Sequence, residues 1–198
     1  MLFRSDVLNK LVPTAVSGGG TWTSVSVGDQ QVCAVKSDAS LWCWGANNAG
    51  QLGIGSTVNQ KVPTRVGVAN DWTQVSAGGV SSCGIRTGGL LFCWGGNANG
   101  QVGDGTTSQR TSPVQIGASK VWKQVATSGF SNYPDDAHVC AVASSGTTGS
   151  LWCWGGNDVG QLGIGSTAQA LTPTQVGTSI GWGSVAVADT QTLALRAL

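Results

Sequence analysis

Short apolar stretches separated by turn residues recur along the chain. Four of them follow one another in the first unit: WTSVSV at 22–27, VCAVK at 32–36, SLWCWG at 40–45 and PTRVG at 63–67. Each alternates or runs apolar and is bounded by Gly, Asn, Asp or Ser, a pattern that predicts β-strands. No window shows a sustained helical apolar period, so the pattern disfavours a helical solenoid.

This group of strands repeats. The stretch LWCWGANNAGQLGIGST at residue 41 returns as LFCWGGNANGQVGDGTT at 91 and as LWCWGGNDVGQLGIGST at 151. Around the copies, Trp-x-x-Val, Cys-x-[Val/Ile] and Pro-x-x-[Val/Ile] recur in the same order. A period of about 50 residues with four short strands is typical of a β-propeller blade.

The repeat resembles a known family. Trp-x-x-Val, Gly-x-x-x-x-Cys-Ala-[Val/Ile/Leu], LWCWG-x-N-x-x-GQLG-x-G and Pro-x-x-Val are similar to the regulator of chromosome condensation repeat. The resemblance implies an all-β propeller of four-stranded blades, usually seven to a ring. The repeat positions expected to have structural roles are Trp22, Trp72, Trp122, Trp182, Trp44, Trp94, Trp154, Gly50, Gly53, Gly100, Gly103, Gly160 and Gly163.

The chain holds about three complete blades and two partial ones. We expect a back half at 1–21, repeats at 22–71, 72–121 and 122–181, and a front half at 182–198. The halves together would still lack the LWCWG strand and its GQLG loop. We therefore expect an incomplete arc of a larger, seven-bladed ring, that is, a fragment; an atypical capping blade is the alternative.

The six cysteines pair by position. A turn centred on Asp38 sets Cys33 directly opposite Cys43 on adjacent strands, within the range that a disulfide accepts. The same argument pairs Cys83 with Cys93, and Cys140 with Cys153 across a longer turn. The partial fourth unit has Leu193 instead. Disulfides would indicate an extracellular or other oxidising compartment; buried thiols in a cytoplasmic protein are the alternative.

Composition and motifs exclude several classes of function. Charged residues make up 10% of the chain and the net charge is +1, without a basic run, so nucleic-acid binding is not expected. No apolar run approaches the roughly 20 residues of a membrane helix, and no signal peptide is visible. Gly45-x-x-x-x-Gly50 has a phosphate-loop spacing, but Gln51 replaces the required lysine, so no cofactor is expected.

No residues suggest catalysis. The only histidine, His138, falls where Gln31 and Ser81 lie in the other units, which favours a repeat role. There is no triad, acid pair or metal-ligand spacing, so we do not expect an enzyme or a metal site.

One segment breaks the repeat. Val25 to Cys33 spans eight residues, but Val125 to Cys140 spans fifteen, because an insertion lies near 126–138. Loops on a rigid scaffold often carry binding specificity, and aromatics make good anchors. A tolerated surface insertion is the alternative. The candidate partner-binding residues in this loop are Phe130, Asn132, Tyr133, Asp135 and Asp136.

The sequence therefore favours a non-catalytic scaffold that binds a protein partner. The resemblance also implies a second hypothesis, guanine-nucleotide exchange on a small GTPase, the activity of the family's founding members. A third is a secreted inhibitor or binding protein, since bacterial β-lactamase inhibitors exist on this fold.

Overall fold

The computed structural model describes residues 15–16, 19–128, 137–145 and 148–196. These residues form fourteen strands in three four-stranded antiparallel sheets and one two-stranded sheet. The first sheet contains β1 (Trp22–Val27), β2 (Gln31–Lys36), β3 (Leu41–Gly45) and β4 (Gln60–Arg65). The second contains β5 (Trp72–Ala77), β6 (Ser81–Arg86), β7 (Leu90–Gly95) and β8 (Arg110–Ile116). The third contains β9 (Trp122–Thr127), β10 (His138–Ser145), β11 (Thr148–Gly155) and β12 (Ala170–Ile180), and the last contains β13 (Trp182–Val187) and β14 (Thr192–Arg196).

The strands pair in sequence order within each sheet, as propeller blades require. In the first sheet Val35 lies opposite Leu41 and Cys33 opposite Cys43, so the predicted register is confirmed. The fourth strand differs from its prediction, because β4 begins at Gln60, before the PTRVG stretch, and ends at Arg65. Cys43 pairs with Thr64, whereas Gly45 pairs with Gln60, so the register of β3 and β4 shifts between these pairs. β4 therefore contains more residues than β3 over this stretch, as in a β-bulge.

Each sheet packs face to face on the next. Cys33, Val35 and Leu41 of the first sheet share a buried cluster with Trp72 and Val75 of the second. A second cluster extends through the remaining sheets. Successive side chains of a strand point to opposite faces of its sheet. One face therefore packs on the preceding sheet and the other on the following sheet.

Tryptophan side chains hold successive sheets together. The Trp94 indole, fully buried, donates to the backbone oxygen of Gln51 in the preceding sheet at 2.9 Å. It lies so close to Gly53 that a Cβ there would be 2.7 Å from the indole nitrogen. Trp154 repeats the contact with the second sheet, donating to the Gln101 oxygen at 3.1 Å. Glycine at position 53 is therefore required by the neighbouring ring as well as by its backbone φ of 70°.

The first strand of each sheet lies beside the first strand of the next. The Ala77 amide donates to Ser26 Oγ at 2.9 Å, and the Thr127 amide donates to Ser76 Oγ at 3.0 Å. At the start of this series the face of β1 is open, since Val27 is 62% exposed whereas its equivalent Ala77 is 7% exposed. The described sheets therefore form an arc rather than a closed ring. The predicted half blade at 1–21 falls largely on residues outside those described.

Candidate partner interface

The loops between the first two strands of all four sheets converge on one cavity. Its volume is about 610 Å³. The described residues that line it come from the ends of β1, β5, β9 and β13 and from the loops that follow them: Val27, Gly28, Asp29, Ala77, Gly78, Thr127, Ser128, Val187, Ala188, Asp189, Thr190 and Gln191. We call this end of the sheets the inner-loop end. Concave sites at the ends of strands are where propellers and similar scaffolds can present variable loops.

The inserted segment of the third repeat begins directly after a residue that lines this cavity. Ser128, which lines the cavity, and Ala137 are the described residues on either side of it. The base of the loop is closed by two bonds, since the Ser128 amide donates to the His138 oxygen at 2.9 Å and the His138 amide donates to Ser128 Oγ at 2.9 Å. The candidate binding residues Phe130, Asn132, Tyr133, Asp135 and Asp136 all lie outside the described residues.

His138 joins two sheets from a fully buried position. Its Nδ1 lies 2.8 Å from Ser128 Oγ, and its Nε2 lies 2.9 Å from Thr192 Oγ1 on β14. A serine and a histidine at this distance resemble a nucleophile and its base, but a general base needs access to a substrate proton. Because His138 is 0% exposed, the arrangement serves packing between the third and fourth sheets.

The two ends of the sheets differ in charge. Asp29 and Asp189 are the charged residues among the described lining of the inner-loop cavity. At the opposite end, four cations lie over tryptophan rings: Lys36 over Trp42 at 4.2 Å, Arg86 over Trp72 at 5.9 Å, Lys120 over Trp152 at 3.7 Å and Arg196 over Trp182 at 5.3 Å. Such contacts orient the cations over the ring faces. Arg86 also pairs with a carboxylate at this end, since its Nε donates to Asp71 Oδ1 at 2.5 Å. The charge is therefore distributed unevenly between the two ends, although carboxylates are not confined to the inner-loop end.

The GQLG loops are internally hydrogen-bonded turns. The buried Asn47 side chain accepts from the Leu52 amide at 2.9 Å and donates to the Ser56 and Val58 oxygens. Gln51 Oε1 accepts from the Ala49 amide at 2.9 Å. The side chains at 47 and 51 therefore satisfy amides within the turn.

The six cysteines lie in three cross-strand pairs. The sulfur atoms of Cys33 and Cys43, of Cys83 and Cys93, and of Cys140 and Cys153 are each 2.15 Å apart. All six side chains are 0% exposed. The pairs are compatible with an oxidising compartment.

Neither a metal centre nor a membrane span is found in the described part of the chain. Within it, no three His, Cys, Asp or Glu side chains are grouped so that they could hold a metal ion. Within the same residues no helix is long and apolar enough to cross a membrane.

Comparison with known proteins agrees with this geometry. The family model described as the Regulator of chromosome condensation (RCC1) repeat matches residues 38–85, 88–132 and 148–195. The chain belongs to the RCC1 repeat family. A second model of the same description matches residues 22–51 and 72–101 of this RCC1-repeat chain. A search of curated protein sequences gives no match.

Solved structures share the propeller. Prp20p from Saccharomyces cerevisiae, reported with its binding properties to Gsp1p and histones, superposes with a TM-score of 0.73 at 19% identity, over 89% of this chain and 44% of its own. Yeast RCC1 (Prp20), from a structure with Kap60, superposes with a TM-score of 0.73 at 20% identity, over 89% of this chain and 43% of its own. Human WBSCR16 superposes with a TM-score of 0.55 at 18% identity, over 93% of this chain and 60% of its own. The RCC1-repeat chain therefore spans less than half the length of the yeast proteins, and the likeness shows the fold alone.

Sequence reasoning missed the shared cavity and the uneven distribution of charge. The cavity takes one loop from each sheet, and these loops lie far apart in sequence. A signal for the charge pattern was present, since Lys36, Arg86 and Arg196 all end the second strand of a unit. The RCC1-repeat propeller, with loops gathered on a rigid arc, supports an interaction or regulatory role.

Proposed function

We propose that this chain is a non-catalytic scaffold that binds a protein partner at the inner-loop end. One observation carries the proposal: the insertion that lengthens the spacing between the first two strands of the third repeat begins directly after Ser128, which lines the cavity on which the loops of all four sheets converge. The rigid arc would hold several loops in fixed relative positions, so binding costs little conformational entropy.

The charge of this end defines the partner's chemistry. Asp29 and Asp189 line the cavity, and the inserted segment carries Asp135 and Asp136 in its sequence. A basic contact surface on the partner complements four carboxylates, and complementary charge increases the association rate. Binding should weaken as salt concentration rises, because exposed charges are screened.

Replacement of the insertion tests the proposal. In the second repeat, Gly79 and Val80 connect Gly78 to Ser81, so residues 129–137 are replaced by Gly-Val. The control deletes residues 146–148 from the β10–β11 hairpin at the opposite end, which gives Cys140 and Cys153 the separation of 10 residues found in the other two pairs. Immobilised proteins are compared for the partners that they retain from an extract. We expect the control to retain the wild-type partners and the loop replacement to lose them; equal retention by both would contradict the proposal.

Binding is proposed to occur in an oxidising compartment, which also suits a secreted inhibitor or binding protein. Three cysteine pairs at disulfide distance support this assignment. Alkylation in denaturant, before and after reduction, tests it, because all six side chains are buried in the folded protein. We expect the thiols to be blocked until the protein is reduced. Six thiols that alkylate without reduction in protein from its native source would contradict the assignment.

Guanine-nucleotide exchange on a small GTPase is the second candidate. It is favoured by the fold match to Prp20p, whose structure was reported together with its binding to Gsp1p. Release of a fluorescent guanine nucleotide from a panel of small GTPases is the test. Acceleration that the 129–137 replacement abolishes would support exchange at the inner-loop end, and no acceleration would exclude exchange for the GTPases assayed.

A further inference from the structure

The connections at the opposite end of the sheets form a second surface, separate from the inner-loop cavity. Because the strands of each sheet are antiparallel and pair in sequence order, the β2–β3 and β6–β7 hairpins lie at this end. The loops that join β4 to β5 and β8 to β9 lie there as well. Each of these loops joins two described sheets. The surface therefore belongs to the interior of the chain and not to its first or last strand.

Cations outnumber carboxylates at this end of the first three sheets, within the described residues. The carboxylates there are Asp38 and Asp71. Arg86 pairs with Asp71, and Asp38 accepts hydrogen bonds from the amide and the hydroxyl of Ser40 in its own turn. The cations at this end are Lys36, Arg65, Arg86, Lys120 and Lys123. The surface is therefore basic, although the net charge of the chain is only +1.

Exposed aliphatic side chains lie among these cations. Val68, on the loop between β4 and β5, is 89% exposed, and Val121, directly before β9, is also exposed. Both loops are tied to neighbouring strands. Arg65 Nη2 donates to the Val68 oxygen at 3.0 Å, and the Ser144 amide donates to the Val121 oxygen at 2.7 Å. Each valine is thus presented to solvent by a loop whose backbone is fixed by a hydrogen bond.

Two half-buried tryptophans belong to the same surface. Trp42 and Trp152 occupy equivalent positions in β3 and β11. Lys36 Nζ lies 4.2 Å from the centroid of the Trp42 ring, and Lys120 Nζ lies 3.7 Å from the centroid of the Trp152 ring. Tryptophan beside lysine is a combination suited to the boundary between lipid headgroups and acyl chains, because the ring is apolar and the ammonium can reach the phosphates.

We propose that the opposite end of the sheets binds an anionic membrane surface. The cations complement the lipid phosphates, and Val68 and Val121 enter the headgroup region between them. Single aliphatic side chains on separate loops suit a deformable lipid surface, whereas a protein partner generally buries a contiguous, well-packed patch. Attachment here leaves the inner-loop end turned away from the membrane and accessible to a protein partner.

Cosedimentation with vesicles tests the proposal. The 198-residue protein is mixed with vesicles of equal parts phosphatidylglycerol and phosphatidylcholine, and separately with vesicles of phosphatidylcholine alone. We expect at least about tenfold stronger partition into the mixed vesicles, because several cations face the anionic headgroups. The partition should weaken as salt concentration rises. Millimolar glycerol phosphate should not displace the protein, because a soluble phosphate offers no acyl region for the valines.

Two pairs of matched variants locate the surface. Lys123→Glu reverses a charge at the opposite end, and Lys61→Glu makes the same change on an exposed lysine near the start of β4, toward the inner-loop end. Val68→Asn removes an exposed aliphatic side chain, and Val58→Asn removes one that is 64% exposed in the connection between β3 and β4. All four side chains are exposed, so the variants should fold, and urea midpoints verify this.

The outcomes separate a membrane surface from other anions. At least about tenfold weaker partition of Lys123→Glu and about fivefold weaker partition of Val68→Asn, with both controls within about twofold of wild type, would support the proposal. Equal partition into both kinds of vesicle, displacement by glycerol phosphate, or equal losses in a variant and its control would overturn it. Tighter binding to polyglutamate than to the mixed vesicles, unchanged in Val68→Asn, would also overturn it, in favour of an acidic protein partner.

Discussion

His138 shows how a single repeat position can join neighbouring sheets with different side chains. Gln31 at the same position donates from Nε2 to the Gly78 oxygen of the next sheet at 2.7 Å. His138 instead reaches Thr192 Oγ1 at 2.9 Å. The sequence correctly favoured a repeat role for the histidine, but its partners could not be predicted, because they lie on another sheet.

Replacement of His138 should destabilise the protein, because it removes a fully buried side chain together with its hydrogen bonds to Ser128 Oγ and Thr192 Oγ1. We expect His138→Ala to lower the free energy of unfolding by about 2–3 kcal/mol. His138→Gln should lower it by roughly 1 kcal/mol or less, since glutamine bridges the same position in the first sheet. Urea unfolding measures both values. Equal stability of wild type and His138→Ala would contradict the bridging role.

Asp104 is a largely buried carboxylate in the loop between β7 and β8. Burial raises the pKa of this carboxyl, but hydrogen bonds from Thr106 and Arg110 outweigh burial, and its pKa lies below the ordinary value of 3.8. Arg110 Nε donates to Oδ2 at 2.6 Å, and Thr106 Oγ1 donates to Oδ1 at 2.7 Å. The carboxylate thus fixes the loop between β7 and β8.

A lowered pKa in the folded state makes stability depend on pH in a definite direction. The contribution of Asp104 is fully present above the unfolded value of about 3.8 and is lost as pH falls through the lower folded pKa. We expect Asp104→Asn to be less stable than wild type at pH 7 and to show a smaller loss between pH 4 and acid. Urea midpoints across this range test the prediction, and an unchanged acid slope would contradict it.

At the scale of elements, strand periodicity predicted the hairpins better than the outer strands. β1 and the pairing of Cys33 with Cys43 follow from alternation and turn position alone. β4 was misplaced at its start, because its pairing depends on an irregular register with β3. β12 extends to Ile180, which pairs with Ser150 across an irregular register. Local pattern carries no information on either adjustment.

The central hairpin of each sheet should depend on its cysteine pair. Each pair closes a short ring, with a separation of 10 residues between Cys83 and Cys93. We expect Cys83→Ala with Cys93→Ala to lower the free energy of unfolding by about 2–3 kcal/mol under oxidising conditions. In reductant, the difference in unfolding free energy between wild type and the double variant should shrink to the packing energy of the two sulfur atoms. Denaturant unfolding in both buffers measures this difference, and an identical difference with and without reductant would contradict a covalent link.

At the scale of the whole molecule, position in the fold matters more than composition. The chain has a net charge of +1, yet carboxylates line the inner-loop cavity while Lys36, Arg86, Lys120 and Arg196 lie over rings at the other end. The sequence identified the insertion as a candidate interface, but the cavity beside it emerges only when four sheets stack. Partner binding is therefore proposed at the inner-loop end.

Site-specific photo-crosslinking tests whether the partner binds at the inner-loop end. A photoreactive residue is placed at Asp29 or Asp189 in the inner-loop cavity and, as a matched control, at exposed Ser37 or half-buried Lys120 at the opposite end. We expect the retained partner to crosslink to both inner-loop positions and to neither control position, with a yield that falls as salt increases. Crosslinks at Ser37 or Lys120 with none at Asp29 and Asp189 would contradict it.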